Sequence, residues 1–163
     1  LAYHPMYLGD SNSAKVIYEF VDYNCGYCQK FHQELINVMN DNSLKLVIIQ
    51  MPILGNFSEE LTKLALASSL QGQFKVVHNY LYSNERKSKM EDILADLFLR
   101  GVDLEILKND LDSQEVSDFL SIHRSYADEF KFTGTPATII GNQIIPGFID
   151  ADKIAEILEK EFS

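Results

Sequence analysis

The chain has 163 residues, 46% of them hydrophobic and 23% charged, a balance that fits one globular domain and excludes disordered and collagen-like classes. The net charge of −10, with 14 scattered basic residues of which only Arg86 and Lys87 are adjacent, argues against nucleic acid, whose binding needs a clustered basic surface. Two continuous apolar stretches, Leu46 to Ile49 and Thr138 to Ile140, fall far short of the roughly 18–20 residues that a membrane span requires.

No signal peptide is present, and the chain begins at Leu1 rather than Met, which reads as a mature or trimmed form. Lys15 to Val21 (KVIYEFV) alternates aromatic and β-branched residues, the pattern of a strand. About fourteen residues precede it. Asp22, Tyr23 and Asn24 then lead into Cys25-Gly26-Tyr27-Cys28. From Cys28, the stripe Cys28, Phe31, Leu35, Val38 and Met39 predicts a helix. The polar run Asn40 to Ser43 ends it. Leu44 to Met51 (LKLVIIQM) reads as a strand buried on both faces. Strand–helix–strand with a crossover of this length implies a βαβ unit with parallel strands.

A helical stretch follows, from about Ser58 to Lys131. Ser58, Glu59 and Glu60 open its first helix. Leu61, Leu64, Ala65 and Ser68, then Phe74, Val77, Tyr80 and Leu81, keep helical spacing on either side of Gly72. Ile93, Leu94, Leu97 and Phe98 predict a short helix ended by Gly101, and Val116, Phe119, Leu120 and Tyr126 a third. The chain closes with a strand at Pro136 to Ile140, a turn at Gly141-Asn142, a partner strand from Gln143 to Ile145, and a helix capped by Asp150 with Ile154, Ile157, Leu158 and Phe162 as its apolar face. Pro146-Gly147 ends the hairpin's second strand. The layout is one sheet with helices on both faces and a helical cap.

The only two cysteines form a single CxxC. Such a pair is a redox couple, half of an intermolecular metal site or a small structural disulfide. The structural disulfide encloses only two residues and gains little by loop closure. Zinc would need four ligands; Cys25, Cys28 and His32 lack a fourth, and His4, His78 and His123 are scattered, so His32 is expected to be solvated or to cap a helix. The redox reading has the position in its favour. Cys25 lies where a strand gives way to a helix, whose first N–H groups stabilise a thiolate. Cys25 then attacks a substrate disulfide, and Cys28, one turn inside the helix, resolves the mixed disulfide. Glu19, six residues before Cys25 in an apolar strand, is either a buried acid that relays protons to Cys28 or an exposed residue on the outer face of an edge strand. Asp22, Tyr23 and Asn24 either shape the groove beside Cys25 or simply make its turn. Phe74, Tyr80, Tyr82, Phe98, Phe119, Tyr126 and Phe130 are expected to form the core of the helical stretch.

The segment YEFVDYNCGYCQKFHQEL resembles the active-site region of the DsbA-like thioredoxin family, and especially its ScsC-like branch. MPILG at residues 51–55 and TGTPATIIGNQIIPGFID near the end resemble that branch too. The resemblance implies an α/β thioredoxin fold (residues 1–57 and 131–163) with an inserted α-helical domain (58–130). It implies thiol–disulfide exchange on protein substrates through Cys25 and Cys28, with Glu19 assisting. It also implies a cis Thr135–Pro136 peptide facing the CxxC, and substrate contacts from Gly134, Thr135, Pro136 and Tyr27. Without it, Pro136 would read as an ordinary trans proline starting a strand. DsbA has His before its second cysteine, where this chain has Tyr27, and Val before the proline, where this chain has Thr135. Both differences imply a milder oxidant, an isomerase or a reductase.

The further expectations are no metal or organic cofactor, since the redox centre is made of side chains; a bacterial periplasm; unfolded or misoxidised secreted proteins as substrates; and a membrane redox partner of DsbB or DsbD type. Some ScsC-like proteins trimerise through an N-terminal stalk, and the short segment before the first strand predicts a monomer, or a trimer if a natural stalk has been removed. The alternative of a different class is a redox-inactive, chaperone-like binding module for unfolded segments.

Overall fold

The computed structural model describes residues 6–163. Five strands form one sheet in the order β1-β3-β2-β4-β5. They are β1 (Tyr7–Gly9), β2 (Val16–Val21), β3 (Lys45–Gln50), β4 (Ala137–Ile140) and β5 (Gln143–Pro146). β2 and β3 are parallel, with Glu19 opposite Ile48. The other pairs are antiparallel, and β4 sets Thr138 opposite Glu19. β2 is therefore a central strand, which removes the edge-strand reading of Glu19.

α1 (Gly26–Asp41) is the crossover between β2 and β3. Its inward stripe was legible: Cys28, Phe31, Leu35 and Val38 are buried. Full burial of a side chain the size of Phe31 or Leu35 contributes about 1.5–3 kcal/mol. Asn42 turns the chain out of the helix, its side-chain amide donating to Val38 O at 3.1 Å. Between β3 and β4 lie α2 (Asn56–Ser69), α3 (Phe74–Leu81), α4 (Met90–Leu99), α5 (Leu104–Asp110) and α6 (Gln114–Glu129), and α7 (Ala151–Phe162) closes the chain. Asp150 caps α7 as expected, accepting from Lys153 N–H at 2.9 Å. Gly101 ends α4 at φ 91°, a left-handed conformation that glycine adopts without steric cost. No helix among the described residues is long and apolar enough to cross a membrane.

One core runs from the sheet face carrying Ile17, Val21, Leu46 and Ile48 through α1 and α7 into α2, α3 and α4. A second lies on the opposite face, where Phe20, Val47 and Ile49 meet Ala127 and Phe132.

Three local expectations are corrected, and two elements, β1 and α5, were not anticipated. α2 begins earlier than Ser58, with Gly55 as its N-cap residue at φ 108°. The strand β1 and the helix α5 carry too few residues for a readable period. Phe98 is not core but 63% exposed. Tyr126 and Phe130 pack onto the sheet face rather than inside the helical stretch, with Phe130 6.4 Å edge-on from Phe20.

Candidate active site

The turn after β2 delivers Cys25 to the N-terminus of α1. Cys25 N–H donates to Asp22 O at 3.1 Å, so the chain reverses tightly, and Cys25 becomes the N-cap residue in extended conformation. Its Sγ accepts the Cys28 N–H at 3.1 Å. A thiolate here meets an otherwise unpaired helix donor and the positive end of the helix dipole. Cys25 is 9% exposed and Cys28 fully buried, and both are free thiols.

The two sulfurs are driven apart in acidity. A hydrogen bond from Cys28 is the largest cause lowering the Cys25 pKa to about 6, with Thr135 and the Cys28 N–H adding to it against burial and the charge of Asp22. Cys28 is pushed up, first by its bond to Cys25 and then by burial. One cysteine is thus a thiolate nucleophile at neutral pH, while the other keeps its proton.

The loop before β4 closes over this pair. The Thr135–Pro136 peptide is cis, as the resemblance implied. As a thiol, Cys25 donates to Thr135 O at 3.5 Å. Thr135 is half-buried, Pro136 buried and Gly134 exposed. Tyr27 is 63% exposed, its ring centroid 6.1 Å from that of Phe148, and Lys30 Nζ lies 5.8 Å from both rings.

Glu19 is fully buried. Neither carboxyl oxygen has a hydrogen-bond partner among the described residues, nor does the hydroxyl of Thr138, which lies opposite it across β4. Burial, and secondarily the Cys25 charge, raise its pKa to about 8.

Several residues at the site were not singled out from sequence. Tyr82, following α3, donates its hydroxyl to Asp22 O at 2.9 Å, and its own carbonyl accepts from Gln29 Nε2 at 3.0 Å. Arg86 donates to Tyr23 O at 2.8 Å and to Asn24 Oδ1 at 3.1 Å. Gln50 Nε2 donates to the Tyr23 hydroxyl at 3.0 Å, and that hydroxyl is 2.7 Å from His78 Nδ1. Asn24, Cys25, Gln29, Tyr82 and Arg86 line a polar groove of about 250 Å³. A larger cleft of about 600 Å³, flanked by Glu59, Lys63 and Arg124, lies away from the cysteines.

The histidines also need correcting. His32 is neither solvated nor a cap. It is 8% exposed, stacked on Tyr82 at 5.3 Å and edge-on to His78 at 5.1 Å, so His32 and His78 are neighbours rather than scattered. Burial lowers the His32 pKa to about 4, and burial also takes His78 well below the usual histidine range. His123 lies elsewhere, its Nδ1 accepting the Gln50 N–H at 2.8 Å. His4 lies outside the described residues. Among the described residues, no group of three or more His, Cys, Asp or Glu is placed to hold a metal ion.

A parallel βαβ unit with a CxxC at the start of its helix, faced by a cis-proline loop, defines the thioredoxin class. A family model described as Thioredoxin matches residues 2–160, and the chain belongs to that family. It is 24% identical over 169 residues to a probable disulfide bond formation protein D of Bacillus cereus, a match covering 94% of this chain and 77% of the relative. Among solved structures it resembles a thioredoxin-like oxidoreductase from Silicibacter pomeroyi, with TM-score 0.88, 27% identity and coverage of 94% and 90% of the two chains. The thiol–disulfide exchange protein α-DsbA2 from Wolbachia pipientis matches with TM-score 0.86, 25% identity and coverage of 94% and 85%. The catalytic domain of Proteus mirabilis ScsC shares the fold, with TM-score 0.82, 23% identity and coverage of 95% and 87%.

Proposed function

We propose that this chain is a thiol–disulfide oxidoreductase acting on protein substrates by exchange through Cys25 and Cys28. The observation that carries this reading is the asymmetry of the pair, with Cys25 lowered to about 6 at a helix N-terminus and Cys28 raised and buried behind it.

The Cys25 thiolate attacks one sulfur of a substrate disulfide. An S–S bond forms between Cys25 and that sulfur, the substrate S–S bond breaks, and the electron pair leaves on the second substrate sulfur. Cys28 then loses its proton and attacks Cys25 Sγ. The Cys25–Cys28 disulfide forms, and the first substrate sulfur departs as a thiolate. The substrate is reduced by two electrons and the pair oxidised by two; run backwards, the same steps oxidise a substrate dithiol.

Glu19 is the group we assign to receive the Cys28 proton. The Cys25 thiolate is part of what keeps the Glu19 pKa high. Once Cys25 is in the mixed disulfide that charge is gone, so Glu19 ionises more readily at the step that needs a base. Gly134, Thr135 and Pro136 are assigned to substrate orientation, supported by the position of Thr135 O against Cys25, and exposed Tyr27 to substrate contact.

Tyr27 and Thr135 favour an isomerase, a reductase or a mild oxidase over a strong oxidase. Unfolded or misoxidised secreted proteins in an extracytoplasmic bacterial space such as the periplasm suit this chemistry, as does recycling by a membrane partner of DsbB or DsbD type. The exchange requires no metal or organic cofactor, and one chain carries all the groups assigned, consistent with a monomer.

The test is single-turnover reaction with a disulfide-bonded peptide. Cys25→Ser abolishes exchange, and Cys28→Ser accumulates a mixed disulfide through Cys25. A Cys25→Ser variant that still exchanges overturns the reading. A protein that never exchanges but suppresses aggregation equally with and without Cys25 is instead a chaperone-like module.

A further inference from the structure

Asp22 is a fully buried charged residue that the exchange steps do not use. Four donors converge on its carboxylate. Oδ1 accepts the Asn24 N–H at 2.9 Å and the Ser58 hydroxyl at 2.7 Å. Oδ2 accepts the Ile53 N–H at 2.8 Å and the Leu54 N–H at 3.0 Å. Three backbone N–H groups and a hydroxyl directed at two oxygens form a cradle suited to a carboxylate anion, which accepts at both oxygens. The backbone of the same residue is equally committed, its carbonyl accepting both Cys25 N–H and the Tyr82 hydroxyl. Asp22 therefore joins three elements at one point: the turn that presents Cys25, the loop after β3, and the first turn of α2.

We propose that Asp22 is a positioning residue that also sets the redox balance of the pair, holding a fixed negative charge three residues before Cys25 that disfavours the dithiol state and restrains the oxidising strength of the disulfide. The inference rests on the exchange reading above.

The physical reason is the sign of the charge. Reduction of the Cys25–Cys28 disulfide by two glutathione molecules yields the dithiol and one glutathione disulfide. At neutral pH the reduced pair carries its negative charge on Cys25, whereas the disulfide carries none. A fixed anion nearby raises the energy of the reduced state alone, and the Asp22 charge opposes Cys25 ionisation, a smaller influence than the Cys28 bond, burial and Thr135. Burial shields this interaction from salt. The hydrogen-bonded cradle keeps the anion in place, since each of its oxygens is held by two donors.

Asp22→Asn removes the charge at nearly constant shape. Its amide oxygen still receives Ile53 and Leu54, and its nitrogen can donate to Ser58 Oγ, so that only the Asn24 N–H is left without its acceptor. Ser58→Ala is the control that removes one donor and keeps the charge. Both are titrated against glutathione and glutathione disulfide, with the redox state of the pair read by a thiol-specific mass tag. The expected result for Asp22→Asn is an equilibrium shifted towards the dithiol by about three- to tenfold, equivalent to about 15–30 mV more oxidising, with Ser58→Ala staying within about twofold of the parent. An Asp22→Asn protein with the parent's circular dichroism and an unshifted equilibrium overturns the proposal. So does Ser58→Ala moving as far as Asp22→Asn, which would make the cradle rather than the charge responsible. If Asp22→Asn does not fold, Asp22→Ser, whose hydroxyl can still accept a backbone N–H, is read by the same criterion. A parent that does not titrate reversibly contradicts the exchange reading instead.

Discussion

Cys25 and Thr135 stand 110 residues apart in the chain, and the sulfur of the first lies 3.5 Å from the carbonyl oxygen of the second. The contact exists because β2 and β4 are sheet neighbours, with Phe20 opposite Ala137, so that the turn after β2 and the loop before β4 emerge at the same end of the sheet. The nucleophile and the backbone facing it are placed by strand register, and α1 then supplies the N–H groups that favour the thiolate.

Alkylation should separate the two cysteines. With Cys25 lowered to about 6 and Cys28 raised and fully buried, iodoacetamide should modify the reduced protein at Cys25 alone, with a rate midpoint near pH 6. Peptide mapping after brief labelling across pH 4–9 checks this. Comparable labelling of Cys28 would mean that the pair is not asymmetric.

Glu19→Gln should stabilise the fold, and more so at high pH. The folded Glu19 pKa of about 8 lies above its unfolded value of about 4.5. Between these two values the folded chain holds a proton that the unfolded chain has released, so stability falls as pH rises through that window. At about 1.4 kcal/mol per pKa unit, the cost of the ionisable acid reaches a few kcal/mol by pH 8 and vanishes below about pH 4.5. Urea unfolding at pH 5 and pH 8.5 should show the larger gain at pH 8.5. The same substitution should slow the second exchange step, which is read as persistence of the mixed disulfide.

The buried histidines predict the opposite slope on the acid side. His32, lowered to about 4, and His78, held well below its usual value chiefly by burial, stay neutral in the fold while unfolded histidine titrates near pH 6.5. Their contribution is complete above about pH 6.5 and is lost as pH falls towards about 4. His32→Leu should flatten the loss of stability across that interval, measured by urea midpoints at pH 7 and pH 4.5. An equal fall in parent and variant would mean that His32 is not held neutral.

Tyr82→Phe keeps the ring on His32 and deletes the hydroxyl that binds Asp22 O. That carbonyl still receives the Cys25 N–H, so the cost should be near that of one hydrogen bond, about 0.5–1.5 kcal/mol. Tyr82→Ala, which also empties the space between His32 and Tyr23, should cost about 3–5 kcal/mol. Chemical denaturation of the three proteins provides the comparison.

What could be read from the sequence was local. Alternation in β2, the stripe of α1 and the junction between them placed Cys25 and Cys28, and an acid inside an apolar strand identified Glu19. The site's remaining partners come from distant segments and carry no local signal. Tyr82 read as one more apolar aromatic of the helical stretch, yet its hydroxyl belongs to the Asp22 turn. Ser58 read as the start of a helix, a role that falls to Gly55, and its hydroxyl instead meets Asp22. His32 lies four residues after Cys28 on the same helix face; its burial depends on Tyr82 and His78 arriving from α3 and the turn after it. The cis peptide at Pro136 was implied only by family resemblance, since the residues alone favour an ordinary trans proline at a strand start.

The most direct test of Cys25 and Cys28 as a redox pair is its equilibrium titration in glutathione buffers, resolved by mass-tagging of free thiols. The expected result is one reversible two-electron transition at a potential below DsbA's, about −120 mV, and above thioredoxin's, about −270 mV. A pair that stays fully reduced or fully oxidised throughout, with no reversible transition, would contradict its assignment as the site of thiol–disulfide exchange.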